Sequence, residues 1–277
     1  MIFNADDVGM GDDVDRGVVR AARAGTVKEA SVCVSERPKR EVLDELRSLG
    51  VGLGLHFCLT EGNALYGPQP GLTDASGRFL GLPRVLLASL SHRLPEQAVQ
   101  RELEAQLEAL ERLGAEPTHI NGHHHVHAFP VVAEVVLREV RRRECVHLRV
   151  PLEPAPLLHG GPRGVLLRAL GRRLAKRAAR AGVPVRAVAG LELTGRSDYV
   201  ERALDLVATL RDPVVEWVVH PREGDTAHTW ATVGARHAGP EEVRAMESAE
   251  LRERLTAQGY RVASYSDVFA AASSVSG

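Results

Sequence analysis

Short apolar, β-branched runs alternate along the chain with longer stretches whose apolar residues return every three or four positions, the signature of repeated βα units. Eight runs read as strands: Ile2 to Ala5, Ala30 to Val34, Val51 to Phe57, Thr118 to Asn121, Cys145 to Val150, Ala187 to Gly190, Val214 to Val219 and Tyr260 to Ser264. The clearest helical pattern is Pro95 to Leu113, where Val99, Leu103, Leu107 and Leu110 form one stripe opposite Glu and Arg, with Pro95 suited to a first turn. Others read at Val14 to Ala24, Arg40 to Leu49, Val131 to Arg142, Gly164 to Ala181, Asp198 to Leu210 and Glu241 to Gln258, several stopped by a glycine. Eight strands with intervening helices predict an α/β fold of the (β/α) barrel type, TIM-barrel-like, as a single domain over residues 1–277. A seven-stranded or open sheet is the alternative. Two long connections, Thr60 to Leu94 and Pro151 to Gly161, are expected to shape a substrate site.

Composition narrows this little. With 44% hydrophobic and 26% charged residues the chain is ordinary globular protein, and a net charge of -1 supplies no field to draw it onto nucleic acid. Cys33, Cys58 and Cys145 are odd in number, far apart and without a CxxC. That argues against a disulfide framework or thiolate zinc site and for reduced cytosol, hence a cytoplasmic location. The N-terminus lacks the basic and apolar regions of a signal peptide, and no apolar stretch reaches the length of a membrane span. Arg163 to Arg186 holds eight Lys or Arg and no acid around Leu166, Leu170 and Leu174; it reads as a solvated helix, with peripheral membrane contact as the alternative. Whether two copies pair as a homodimer is left open.

The candidate chemistry sits at strand ends. Asp6 and Asp7 close the first strand; adjacent carboxylates repel, and a cation that neutralises one leaves the other free as a base, whereas the plainer reading is a helix cap. His56 ends the third strand, either as a ligand or as a satisfied structural histidine. The fourth strand opens into Gly122-His123-His124-His125-Val126-His127, and if a helix starts there, His123 and His127 share one face as two metal-holding imidazoles would. His220 follows the seventh strand, and Arg149, ending the fifth, is placed to hold a carboxylate. In a barrel, such ends converge on one face. One Asp with two His and no cysteine suits Zn²⁺ or another divalent ion with coordination positions left open, and hydrolysis of an amide or ester is the natural reaction.

The motifs NADDVGM, GLHFCLTEG, PTHINGHHHVHAFP and HPRE resemble those of the YdjC-like carbohydrate deacetylases, a family that includes chitooligosaccharide deacetylases and a hopanoid-biosynthesis-associated branch. The resemblance implies a barrel-like enzyme that uses a divalent metal (Zn²⁺ or Mg²⁺, with Co²⁺ a further candidate) to remove acetyl groups from a small N-acetylated sugar or oligosaccharide. Carried over by motif, Asp7, His56 and His123 are the metal ligands and Asp6 the general base. His220 is the expected acid toward the leaving amine, with His127 its competitor, and Arg149 and His125 are candidate substrate contacts. Val8 stands where the family usually has Phe, and the first strand is a few residues short, which reads as a trimmed start. The basic stretch resembles the hopanoid-associated branch. A phosphoesterase or amidohydrolase of related build, or an inactive metal- or glycan-binding protein, are the competing classes.

Overall fold

The computed structural model describes residues 1–36, 38–143, 146–153, 161–224 and 239–275, with side chains to residue 270. Cys145 and most of the connection from Pro151 to Gly161 lie outside the described residues. Among the described residues, seven strands, β1 (Ile2–Val8), β2 (Val27–Val32), β3 (Gly52–Phe57), β4 (His119–Gly122), β5 (His147–Leu148), β6 (Ala187–Ala189) and β7 (Val215–Val219), form a sheet of order β5-β4-β3-β2-β1-β7-β6. Parallel ladders join β1 to β7, β6 to β7, β3 to β4 and β4 to β5. Parallel neighbours need long crossovers. The helices that supply them and follow them are α1 (Asp12–Arg23), α2 (Arg40–Ser48), α3 (Leu82–Leu90), α4 (Glu96–Arg112), α5 (Pro130–Arg142), α6 (Gly161–Arg180), α7 (Tyr199–Thr209), α8 (Gly239–Glu247), α9 (Ala249–Ala257) and α10 (Tyr265–Val275).

The eight-stranded closed barrel is corrected by this order: β5 and β6 are the ends of an open sheet, and Tyr260 to Ser264 is not a strand. Of those five residues only Ala263 is buried, so the run lacks the continuous apolar character of a strand covered on both faces. It meets the chain start through the Met1 amino group, which donates to the Arg261 carbonyl at 2.7 Å, and the Ala263 N–H, which donates to the Met1 carbonyl at 2.9 Å. The single helix expected from Glu241 to Gln258 is α8 and α9, broken at Ser248. That residue is extended and its hydroxyl accepts the Leu251 N–H at 3.2 Å, an N-cap.

The chain divides into two compact units, residues 1–30, 39–52 and 186–277 in the first and 31–38 and 53–185 in the second. In the first, Phe3 packs on Trp217 with centroids 5.5 Å apart, and the Trp217 indole N–H donates to the Tyr199 hydroxyl at 3.0 Å. In the second, the stripe Val99, Leu103, Leu107 and Leu110 is wholly buried, as its spacing requires, along with Leu55, Phe57 and Ile120.

Candidate active site

In the first unit the candidate groups stand at the ends of β1 and β7. The ladder sets Ala5 against Val219, so the next residues on each strand are Asp6 and His220. Asp6 is buried, and its Oδ2 lies 3.9 Å from His220 Nε2, an ion-pair separation rather than a hydrogen bond. Asp7 is half-buried and has φ 73, a left-handed conformation that bends the chain directly after Asp6. The far side of the His220 ring is anchored too: Nδ1 is 3.4 Å from Thr194 Oγ1, and the main-chain N–H of His220 donates to Glu242 Oε2 at 2.5 Å. Glu242 projects from α8 and is fully buried. Burial pushes its carboxyl up to about 8, and the Asp6 charge adds to this, against N–H groups from His220 and Gly195 and the Arg222 guanidinium.

In the second unit His56 is buried at the end of β3, with Asn121 of β4 as its direct cross-strand partner. After β4 the histidines do not start an α-helix. His123–Ala128 is a 3₁₀ segment in which His124 (φ 52) and His125 (φ 55) are left-handed, so the four-residue helical spacing expected to join His123 and His127 does not apply. His127 is completely buried against Gly122: a Cβ on that glycine would fall 3.0 Å from His127 Nδ1. His125 is half-buried, its ring 6.3 Å from that of His127. The His56 and His123 rings, by contrast, come together with centroids 5.4 Å apart at 71°. Two imidazoles that each aim a nitrogen at one tetrahedral ion about 2.0–2.1 Å away hold their centroids roughly 5 Å apart, so this pair fits a shared cation.

Sequence reasoning missed a further group. Glu61, buried behind β3, sets Oε2 3.5 Å from His123 Nε2 and Oε1 3.7 Å from His124 Nε2, and the three residues offer ligand atoms within 4.8 Å of one another. The His124 ring is tilted 43° to that of His123 with centroids 4.1 Å apart, and its Nδ1 lies 3.0 Å from Thr60 Oγ1. The signal for Glu61 was present in GLHFCLTEG, since an acid in a strand-end loop faces the same rim as His56; Glu242, on a distant helix, gave none. Arg149 directly follows β5, as expected, and its side chain is buried. Cys33 and Cys58, far apart in sequence, are buried free thiols; the neighbouring Cys58 sulfur and burial push the Cys33 thiol well above its ordinary range.

The sequence profile of the YdjC-like protein family matches residues 1–257. A carbohydrate deacetylase of Brevibacillus brevis is 36% identical over 139 residues, covering 50% of this chain and 54% of that protein. A chitooligosaccharide deacetylase of an Enterobacter species is 34% identical over 147 residues, covering 52% and 56%, and a carbohydrate deacetylase of Homo sapiens is 35% identical over 159 residues, covering 55% and 49%. The chain thus spans about half the length of the curated relatives it matches. Among solved structures, a candidate cellobiose-phosphate cleavage protein from Enterococcus faecalis has a TM-score of 0.72 at 21% identity, covering 96% of this chain and 97% of that one. A lactam utilization protein from Thermus thermophilus has a TM-score of 0.50 at 18% identity, covering 95% and 98%. At such identities the likeness is one of fold. The profile match, by contrast, runs through all four motifs, and the chain belongs to the YdjC-like family.

Proposed function

We propose that this protein is a carbohydrate N-deacetylase that hydrolyses the acetamide of an amino sugar or short N-acetylated glycan with the help of a divalent cation. The observation that carries the reading is the pairing of the buried Asp6 carboxylate with the His220 imidazole at 3.9 Å, a base and an acid side by side at the ends of neighbouring strands. Family membership and the names of the relatives support the sugar substrate.

Asp7, His56 and His123 would hold the cation, Zn²⁺ or Mg²⁺ with Co²⁺ also suited; oxygen and nitrogen donors without sulfur fit all three. A bound cation supplies Lewis acidity toward the acetyl carbonyl. Asp6 takes the proton of the attacking water on its carboxylate, and His220 returns a proton from its ring to the leaving amine nitrogen. The wholly buried His127 is the less accessible competitor for that role. His125 and Arg149 would contact the sugar. The whole chain acts as one catalytic domain on an opened relative of the (β/α) barrel, in the cytoplasm, with α6 as a solvated basic helix. No described helix is long and apolar enough to cross a membrane.

A second reading, a two-cation hydrolase of phosphate esters, draws on Glu61, His123 and His124 as further donors. Purified protein incubated with N-acetylglucosamine and its β-1,4 dimer in Zn²⁺, Mg²⁺ or Co²⁺ should release acetate with one cation bound per chain, and Asp6→Asn should abolish turnover while keeping the cation. Two cations per chain with hydrolysis of p-nitrophenyl phosphate and no acetate would favour the second reading. Residual activity in an Asp6→Asn protein that has lost the cation would remove the role given to Asp6.

A further inference from the structure

One face of β2, β3 and β4 in the second unit carries a line of buried polar side chains where apolar ones would ordinarily pack. Ser31, His119 and Asn121 are fully buried and His56 nearly so. Buried polar groups must be hydrogen-bonded, and here the bonds form a chain. His56 Nδ1 lies 2.7 Å from Asn121 Oδ1, Asn121 Nδ2 donates to Ser31 Oγ at 2.7 Å, Ser31 Oγ is 2.8 Å from His119 Nε2, and His119 Nδ1 is 2.9 Å from Thr118 Oγ1. Thr118 Oγ1 ends the line by donating to the Leu53 carbonyl at 3.3 Å.

A carbonyl cannot donate, so this end sets the direction of every other link. Thr118 spends its one hydroxyl proton on Leu53 and therefore accepts from His119 Nδ1. An imidazole protonated at Nδ1 presents a lone pair at Nε2, which accepts the Ser31 hydroxyl. Ser31 Oγ then accepts the Asn121 amide N–H, and that amide orientation turns Oδ1 toward His56, whose Nδ1 must carry the proton. His56 is left with its lone pair on Nε2, the atom that can ligate a cation. Room for the relay is built into the backbone: a Cβ at Gly54, two residues before His56 on the same strand face, would fall 2.3–2.5 Å from the His119 ring.

We propose that Asn121, Ser31 and His119 are positioning residues, a one-way relay that fixes His56 as the Nδ1–H tautomer and so presents Nε2 for metal binding. The inference rests on the reading of His56 as a cation ligand, and its test separates the two. Long-range ¹H–¹⁵N spectra of histidine-labelled, metal-free protein, recorded where the imidazoles are unprotonated, should show His56 as Nδ1–H. Ser31 reaches His56 through Asn121, and Ser31→Ala should shift His56 toward a mixture of tautomers, as should Asn121→Ala. By calorimetric titration with Zn²⁺, Asn121→Ala should bind roughly 10–100-fold more weakly, with Ser31→Ala in between. A wild-type His56 found as Nε2–H overturns the relay, as do folded variants with unchanged ring signals and Zn²⁺ affinity. Wild-type protein that holds the Nδ1–H form but takes up no Zn²⁺, Mg²⁺ or Co²⁺ sustains the relay and removes the metal-holding role instead.

Discussion

Glu242 places a carboxyl where ionisation is disfavoured, and its effect reaches both stability and the site. The folded protein holds this proton up to about pH 8, whereas an unfolded glutamate releases it near pH 4.5. Its contribution is therefore fully present below about pH 4.5 and is lost as pH rises through about 8, at about 1.4 kcal/mol per unit within that window. Glu242→Gln keeps an amide oxygen for the His220 N–H but removes the titration. Thermal denaturation should show the melting temperature of the variant gaining on wild type between about pH 5 and pH 8, and parallel pH profiles would contradict the assignment. The placement of Asp6, His56 and His220 at strand ends was legible from sequence because each interrupts or follows an apolar run. Glu242 was not, since its importance comes from the tertiary burial of an otherwise ordinary helix acid.

At the scale of elements, β3 and β4 show how side-chain size on one strand is set by its neighbour. Gly54→Ala forces a methyl into the His119 ring and should destabilise the protein by about 1–3 kcal/mol in urea unfolding. Adding His119→Ala should recover part of that loss, and a fully additive double mutant would show that the two residues do not meet. The strands and most helices were readable from periodicity because each buries one stripe or one continuous run, as α4 does. Other features were not, α10 among them. α3 lies inside what read as a loop, its Gly81 and Pro83 resembling turn residues although they open a helix. The break at Ser248 is a capping event that leaves the helical pattern on both sides intact. The spacing of His123 and His127 invoked α-helical geometry in a segment whose backbone is left-handed at two residues.

For the molecule as a whole, binding and folding are linked: a cation held only by the native state stabilises it by about 2.7 kcal/mol at one hundred times its dissociation constant. Melting curves should rise with added Zn²⁺, return on chelation, and lose the response in His56→Ala; an equal rise in that variant would assign the effect to another site. The α/β alternation was legible at this scale, but the number of strands was not, because Tyr260 to Ser264 has β-like residue types without the burial that makes a strand. The paired left-handed histidines bear on the molecule's total stability. Each side-chain-bearing residue in that conformation costs roughly 1–2 kcal/mol, against a net folding free energy of roughly 5–15 kcal/mol for a typical domain. Glycine at positions 124 and 125 would relieve that strain, so a chain optimised only for folding would carry glycine there. This one keeps two imidazoles in a backbone that resists them, as the proposed site would require.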